Sequence, residues 1–294
     1  MNDYIIRASS EGLVAFAGSM PELCNEASHR HQCSPTAAAA LGRTMIATAL
    51  YTETMKNNEN ISVRIAGAGQ LGNIIATADS DGNVRGYAQN AGADVAAKLP
   101  GKLNVGELVG GLGNIYVSRY SPTTGQTFTG AAELVNGEIG DDFANYLQKS
   151  EQIASAVGLG VWINPDNTIT TAGGFLVMAL PDCSEQTLSL LESNIEKICG
   201  VTDILLASDN SAEALLAALF FGIEYNVTST KTVRFKCNCD YQRIVLVLGS
   251  LPTADLEHLL EQETTEMICH FCNEKHFVTR AEIAALIDSR QAAN

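Results

Sequence analysis

Cys237-Asn238-Cys239 and Cys269-His270-Phe271-Cys272, separated by residues 240–268, place four thiols in two close pairs. Four thiolates at such spacing suit tetrahedral zinc. Soft sulfur ligands also take Cu(I) or an iron–sulfur cluster, but two separated pairs in a small terminal segment are most often a zinc site. Two uses of the metal are open. It can simply staple a small fold, or it can hold the sulfurs for redox chemistry. The single residue between Cys237 and Cys239 crowds their sulfurs, leaving them close enough to oxidise once the metal is lost. Bound zinc keeps its sulfurs as thiolates, the species that oxidants attack, and Arg234 and Lys236 flank the first pair. A core of about 60 residues rarely supplies more than about 3–5 kcal/mol, whereas zinc binding runs to about 10–16 kcal/mol. Metal loss is therefore expected to unfold this segment and expose whatever surface it and its neighbour covered.

Other candidate constellations take simpler readings. Gly67-Ala68-Gly69-Gln70-Leu71-Gly72 matches a dinucleotide-binding glycine pattern, with Asp94 downstream, but Asn73–Ala78 reads as a strand where that motif needs a helix. It is expected to be a hairpin connection, and Gly110-Gly111-Leu112-Gly113 before another strand is read alike. Cys24, His29, His31 and Cys33 lack a paired-cysteine knuckle and are expected to be structural, as are Cys183 and Cys199. His258, His270 and His276 lie near the four cysteines, which already complete a tetrahedral shell, so outer positions are expected for them. Glu138, Asp141 and Asp142 open a helix, where carboxylates complement the dipole. No G-x-S-x-G, H-E-x-x-H or Walker pattern occurs, and no enzyme active site is expected.

The elements that must position the cysteines follow from patterning. The 294 residues are 46% hydrophobic and 17% charged, long enough to bury a proper core. A formal charge of −15 opposes nucleic acid or anionic lipid as the main partner. The N-terminal segment lacks a basic region followed by an unbroken apolar run, and Ala37–Tyr51 is interrupted by Arg43, so neither a signal peptide nor a membrane span is expected. The cytoplasm is the expected location. Residues 1–180 read as an α+β core: a hairpin over Tyr4–Ala8 and Leu13–Ala17, then a helix over Thr36–Met55 opened by Ser34-Pro35. Strands follow within 61–88 and 115–135, a helix over Gly137–Ile153, and strands over Ala156–Ile163 and Thr168–Leu180. Antiparallel strands with helices packed on them are the simplest account. Residues 181–230, with one basic and eight acidic side chains, read as an acidic helical linker. Its two apolar stripes run through Leu188, Leu191, Ile195 and Ile198, and through Leu215, Leu216, Leu219, Phe220 and Ile223. Residues 231–294 form the small cysteine-bearing domain, with a basic strand over Thr232–Lys236 and a final helix opened by a Thr279/Glu282 capping box.

Several segments carry a resemblance: Ser34-Pro35-Thr36-Ala37-Ala38-Ala39-Ala40-Leu41-Gly42-Arg43 after His31, Gly82-Asn83-Val84-Arg85-Gly86-Tyr87, and Gly125-Gln126-Thr127-Phe128-Thr129-Gly130. Gly137-Glu138-Ile139, Ser150-Glu151-Gln152 and Ala172-Gly173-Gly174-Phe175 continue it, as do Phe235-Lys236-Cys237-Asn238-Cys239 and Cys269-His270-Phe271-Cys272-Asn273-Glu274-Lys275. Over nearly its whole length the chain resembles the 33-kilodalton heat-shock protein family, redox-regulated holdase chaperones of bacteria. The resemblance implies a reduced, inactive monomer in which Cys237, Cys239, Cys269 and Cys272 hold one Zn2+. It further implies disulfides Cys237–Cys239 and Cys269–Cys272 on oxidation, zinc release, and unfolding of the terminal domain and linker. The implied active form is a homodimer that binds unfolding client proteins without ATP. The alternative is a constitutive zinc-stapled interaction module without a switch.

Overall fold

The computed structural model describes residues 3–55, 59–99 and 101–293, and the chain divides into two compact units between Lys236 and Cys237. The fold is α+β. In the first unit, alternation of apolar and polar residues produces the expected hairpin, β1 (Tyr4–Ser10) and β2 (Leu13–Ser19), turned at Gly12 with φ 73°. Helix α1 (Pro21–His31) begins at a proline, and the free N–H groups of Glu22 and Leu23 donate to the Asp3 carboxylate at 3.1 and 2.5 Å. Ser34 caps α2 (Pro35–Thr52), its Oγ accepting the Ala37 N–H at 3.2 Å. The expected helix extended to Met55; the chain instead leaves it at Thr52 in a turn closed by Thr54 N–H on the Tyr51 carbonyl, 3.0 Å.

Helix α2 is buried on all sides, and the side chains Ala37, Ala38, Ala39 and Ala40 are small enough to let elements pack against it from every direction. Its buried threonines would be costly without partners. Thr44, Thr48 and Thr52 each donate to the carbonyl four residues back, at 2.7–2.8 Å.

Strands β3 (Asn60–Gly67), β4 (Asn73–Ala78) and β5 (Asn83–Ala88) form an antiparallel meander. A short helix α3 (Val105–Val109), not foreseen from patterning, precedes β6 (Gly113–Tyr120) and β7 (Thr127–Glu133). Both glycine-rich stretches are connections, and they lie against each other: Gly69 N–H donates to the Val109 carbonyl at 2.8 Å and Ala68 N–H to that of Leu112 at 2.8 Å. A Cβ on Gly67 or Gly69 would fall 2.1–2.2 Å from the carbonyl oxygens of Val109 and Leu108. The pattern that matches a dinucleotide-binding glycine motif is therefore a backbone-to-backbone packing motif.

Helix α4 (Gly140–Lys149) leads into β8 (Ser155–Ile163) and β9 (Ile169–Ala179). Three helices follow, α5 (Glu185–Glu196), α6 (Val201–Ala207) and α7 (Ala212–Leu219), one more than the two apolar stripes suggested. Gly200 and the left-handed pair Asp209-Asn210 bracket the extra helix. Strand β10 (Asn226–Thr232) then pairs with β1, and β11 (Arg234–Phe235) pairs in parallel with β5. The result is two sheets, ordered β10-β1-β2-β9-β8 and β11-β5-β4-β3-β6-β7. One buried cluster joins α1, α2 and α4 to both sheets. A second packs Leu191, Leu205, Leu215, Leu216 and Leu219 of α5–α7 on Ile6, Leu13, Ala15, Phe175 and Val177 of β1, β2 and β9. The segment 181–230 thus lies within the first unit and covers a sheet face.

The second unit contains α8 (Tyr241–Leu248), α9 (Thr253–Leu259), the hairpin β12 (Thr264–Ile268) and β13 (Lys275–Thr279), and α10 (Arg280–Ala293). Its buried cluster consists of Ile244, Leu248, Leu256, Val278, Ile283 and Ile287. The capping box forms as the sequence indicates, Thr279 N–H to Glu282 Oε2 at 2.9 Å and Glu282 N–H to Thr279 Oγ1 at 3.4 Å. Among the described residues no helix is long and apolar enough to cross a membrane.

Candidate metal centre

The four cysteines come from two local devices. Cys237 and Cys239 lie in the irregular stretch just before α8, whose start is fixed by Asp240, the Oδ1 of which accepts the Arg243 N–H at 2.8 Å. Cys269 and Cys272 occupy the turn between β12 and β13. There Cys269 N–H donates to the Glu274 carbonyl at 2.9 Å and Asn273 N–H to the Cys269 carbonyl at 2.8 Å, with Asn273 left-handed at φ 59°. This tight turn points both sulfurs to one side and presents the Glu274 N–H to the Cys272 sulfur.

All four Sγ atoms lie within 4.8 Å of one another. Between the pairs, Cys239 Sγ lies 3.1 Å from that of Cys272 and Cys237 Sγ 3.6 Å from that of Cys269. A tetrahedron with metal–sulfur bonds of about 2.3 Å has edges of about 3.8 Å, so the cluster is of the right size for one ion. Burial, and then the neighbouring sulfurs, push the Cys239 thiol far above its ordinary range, and burial pushes that of Cys272 up to about 11. Proton-bearing sulfurs crowded in this way are what a divalent cation would relieve by replacing the protons. The donor set fits a soft tetrahedral ion.

The other sequence candidates are not drawn into this cluster. Cys24 and Cys33 are buried in the first unit, where burial drives the Cys24 thiol well up and that of Cys33 up to about 12. Cys183 is half-buried and Cys199 exposed, and neither belongs to a metal-capable group among the described residues. Asp142 is fully buried, its Oδ1 accepting the Val135 and Asn136 N–H groups at 2.6 and 3.2 Å and its Oδ2 that of Ile139 at 3.1 Å. Glu138 pairs with Arg43 at 2.9 Å, and Asp141 accepts from Asn136 Nδ2 at 2.6 Å. These carboxylates organise the loop before α4. His258 sits 3.4 Å from Glu261 on an exposed surface of α9. The feature patterning missed is a second group, in which Cys239, Glu274 and His276 each offer a ligand atom within 4.8 Å of the others. Only the proximity of His276 to the cysteines in sequence hinted at it.

Comparison with known proteins agrees with this geometry. Residues 3–279 match the family model described as Hsp33 protein. The 33 kDa chaperonin of Bacillus licheniformis is 38% identical over 289 residues, covering 97% of this chain and 99% of that protein. That of Bacillus subtilis is 36% identical over 289 residues, with 97% and 98% covered. The crystal structure of the 33 kDa chaperonin (heat shock protein 33 homolog) from Thermotoga maritima superposes with a TM-score of 0.90 at 26% identity, over 99% of both chains. With its cysteine cluster and its α+β architecture, the chain belongs to the Hsp33 family, a family of chaperones rather than enzymes.

Proposed function

We propose that this chaperone is a redox-regulated, ATP-independent holdase of the cytoplasm whose reduced form is inactive. The observation that carries the reading is the four-sulfur cluster set in a unit whose hydrophobic cluster, among the described residues, has six buried side chains. In the reduced state Cys237, Cys239, Cys269 and Cys272 hold one Zn2+, which when bound supplies the cross-link that so small a core lacks. Peroxide takes two electrons from each close pair, forming Cys237–Cys239 and Cys269–Cys272 and removing the sulfur ligands. Residues 237–294 then unfold, and the acidic helical segment 181–230 leaves the sheet on which it packs. That segment covers Ile6, Leu13, Ala15, Phe175 and Val177, an apolar face suited to holding unfolding client proteins once bared. The division into a client-binding core at 1–180, a linker at 181–230 and a switch domain at 231–294 belongs to this reading. So does a monomer when reduced and a homodimer when oxidised.

The test is suppression of aggregation of a heat-denaturing client, with zinc release followed in the same samples. Suppression that appears only after peroxide, together with release of one zinc per chain, is the expected result. Equal suppression before and after oxidation would replace the switch with a constitutive zinc-stapled module.

A further inference from the structure

In β3, β4, β5 and β6 the buried residues of the α2 cluster alternate with residues that form an outer sheet face. Strand pairing sets those outward residues in rows. Tyr87 stands opposite Ile75, Ile75 opposite Arg64, and Arg64 opposite Tyr116. Two residues along, Arg85 stands opposite Thr77, and two further, Arg234 of β11 stands beside Asn83. Tyr120, 42% exposed, ends the same face on β6. Three arginines and three tyrosines thus share one side of the sheet, Tyr87 and Tyr116 lying three strand spacings apart, about 14 Å. Between these rows runs a line of hydroxyls, Thr77, Ser62, Ser118 and Thr129, each opposite the next.

The arginines are held in place by neutral partners. The Arg64 guanidinium sits 4.2 Å from the centroid of the Tyr116 ring, Arg85 Nε donates to Thr77 Oγ1 at 3.2 Å, and Arg234 Nε to Asn83 Oδ1 at 2.9 Å. Arg64 and Arg234 are exposed, and among the described residues neither meets a carboxylate. Elsewhere in this unit Arg30, Arg43, Arg119 and Lys231 each pair with a glutamate. The carboxylate of the β4–β5 turn, Asp79, is engaged by the Asp81 and Asn83 N–H groups and by Asn83 Nδ2, and Glu133 lies at the end of β7.

Cations without acidic partners call for an anion, and exposed phenol rings call for flat groups that stack on them. A single-stranded nucleic acid supplies both, whereas a duplex hides its base faces. Hydroxyls that both donate and accept suit the ribose 2′-hydroxyl, the group that separates RNA from DNA. We propose that this face binds single-stranded RNA, with Arg64, Arg85 and Arg234 on phosphates and Tyr87, Tyr116 and Tyr120 under bases. The formal charge of −15 makes RNA a weakly held, salt-dependent partner rather than the main one. Residues 181–230 carry eight of the acidic side chains and pack on the other sheet, and charges more than about 10 Å away are screened at 0.1 M salt. The face belongs to the first unit, so the inference does not rest on the redox reading above.

The test uses the reduced full chain and a fluorescein-labelled, mixed-sequence single strand of RNA, about twelve nucleotides long, followed by fluorescence anisotropy. Each phosphate contact on a single strand contributes about 0.7 to the salt slope, so three arginines predict a slope of about −2 and about a twentyfold loss of affinity between about 50 and 200 mM salt. The Arg64→Gln, Arg234→Gln double variant should bind about tenfold or more weakly at the lower salt, with the slope reduced to about −0.7. Lys149→Gln, which removes an exposed charge from α4, should change neither. Tyr116→Leu should weaken binding about fivefold or more and leave the slope unmoved. The two exposed arginines can be replaced without touching the core, and an unshifted urea midpoint of Trp162 checks the fold of each variant. No saturable binding at the lower salt, binding indifferent to the arginine pair, or tighter binding of a duplex or of the matched DNA strand overturns the proposal. Inorganic polyphosphate that displaces the RNA at equal charge, together with an indifferent Tyr116→Leu, makes the face a general anion surface and overturns the RNA assignment.

Discussion

Among the described residues, the first unit buries the faces of two sheets around a helix, α2, that is itself enclosed on every side, whereas the second gathers a cluster of six buried apolar side chains and four cysteine sulfurs. The first unit is held by area removed from water, distributed over so many contacts that no single group decides it. The second has a far smaller buried cluster, and on the proposed reading it concentrates its stability at the sulfur site. A distributed core resists chemistry, and a concentrated one can be switched by it. On the proposed reading the sulfurs to be oxidised sit together in the smaller unit, whereas Cys24 and Cys33 are buried in the larger, outside any metal-capable group among the described residues.

Removing the metal should break the comparison most sharply. Chelation of the reduced protein, or Cys272→Ser, is expected to cost the second unit on the order of 10 kcal/mol and unfold it, leaving the two sheets and α2 of the first folded. Trp162 is the single tryptophan and lies in β8, so its fluorescence reports the first unit alone while far-UV circular dichroism reports both. Loss of the Trp162 signal on chelation would show that the units are not separable. A smaller effect of opposite location is expected from Leu50→Ala in α2. It should destabilise the first unit by about 2–5 kcal/mol in urea, with zinc content unchanged.

Next in size is a pH effect confined to the first unit. Burial, against the pull of the Leu23 and Glu22 N–H bonds, raises the Asp3 carboxyl to about 6. The folded chain then takes up a proton between about pH 4 and 6 that the unfolded chain does not. Asp3 therefore makes the first unit gain stability as pH falls through that window, by up to about 3 kcal/mol, and lose it as pH rises again. Asp3→Asn should flatten this dependence in urea midpoints read by Trp162. The smallest effect returns to the second unit: Thr279→Ala removes half of the α10 capping box and should cost about 1 kcal/mol. A lower urea midpoint of the zinc-bound second unit, with that of Trp162 unmoved, is the expected result.

Much of this was legible from local chemistry. Ser34-Pro35 and Thr279/Glu282 announce helix starts because a cap acts within one turn, and both form. Alternation announced the strands because side chains of a strand point to opposite faces regardless of which neighbour it pairs with. Helix α6 escaped because a seven-residue helix carries barely two turns of periodicity, and α3 because five residues carry less. The role of Asp142 also escaped. A carboxylate early in a helix suggests the dipole, and only the returning loop shows that it gathers the N–H groups of residues 135, 136 and 139.

By itself, the sequence determined which residues bear soft ligands, that they come in two close pairs, and that the segment around them is too small to fold on apolar surface. Those properties depend on residue type and short spacing, which no packing can alter. The tertiary structure decided which distant groups meet. It gathered the two cysteine pairs to within 4.8 Å, laid α5–α7 over β1, β2 and β9, and set Glu274 and His276 beside Cys239. It also made a dinucleotide-binding glycine pattern into a contact between Gly69 and Val109. Each of these follows from how whole elements pack, and a chain's own periodicity is silent about its partners until the core that unites them has formed.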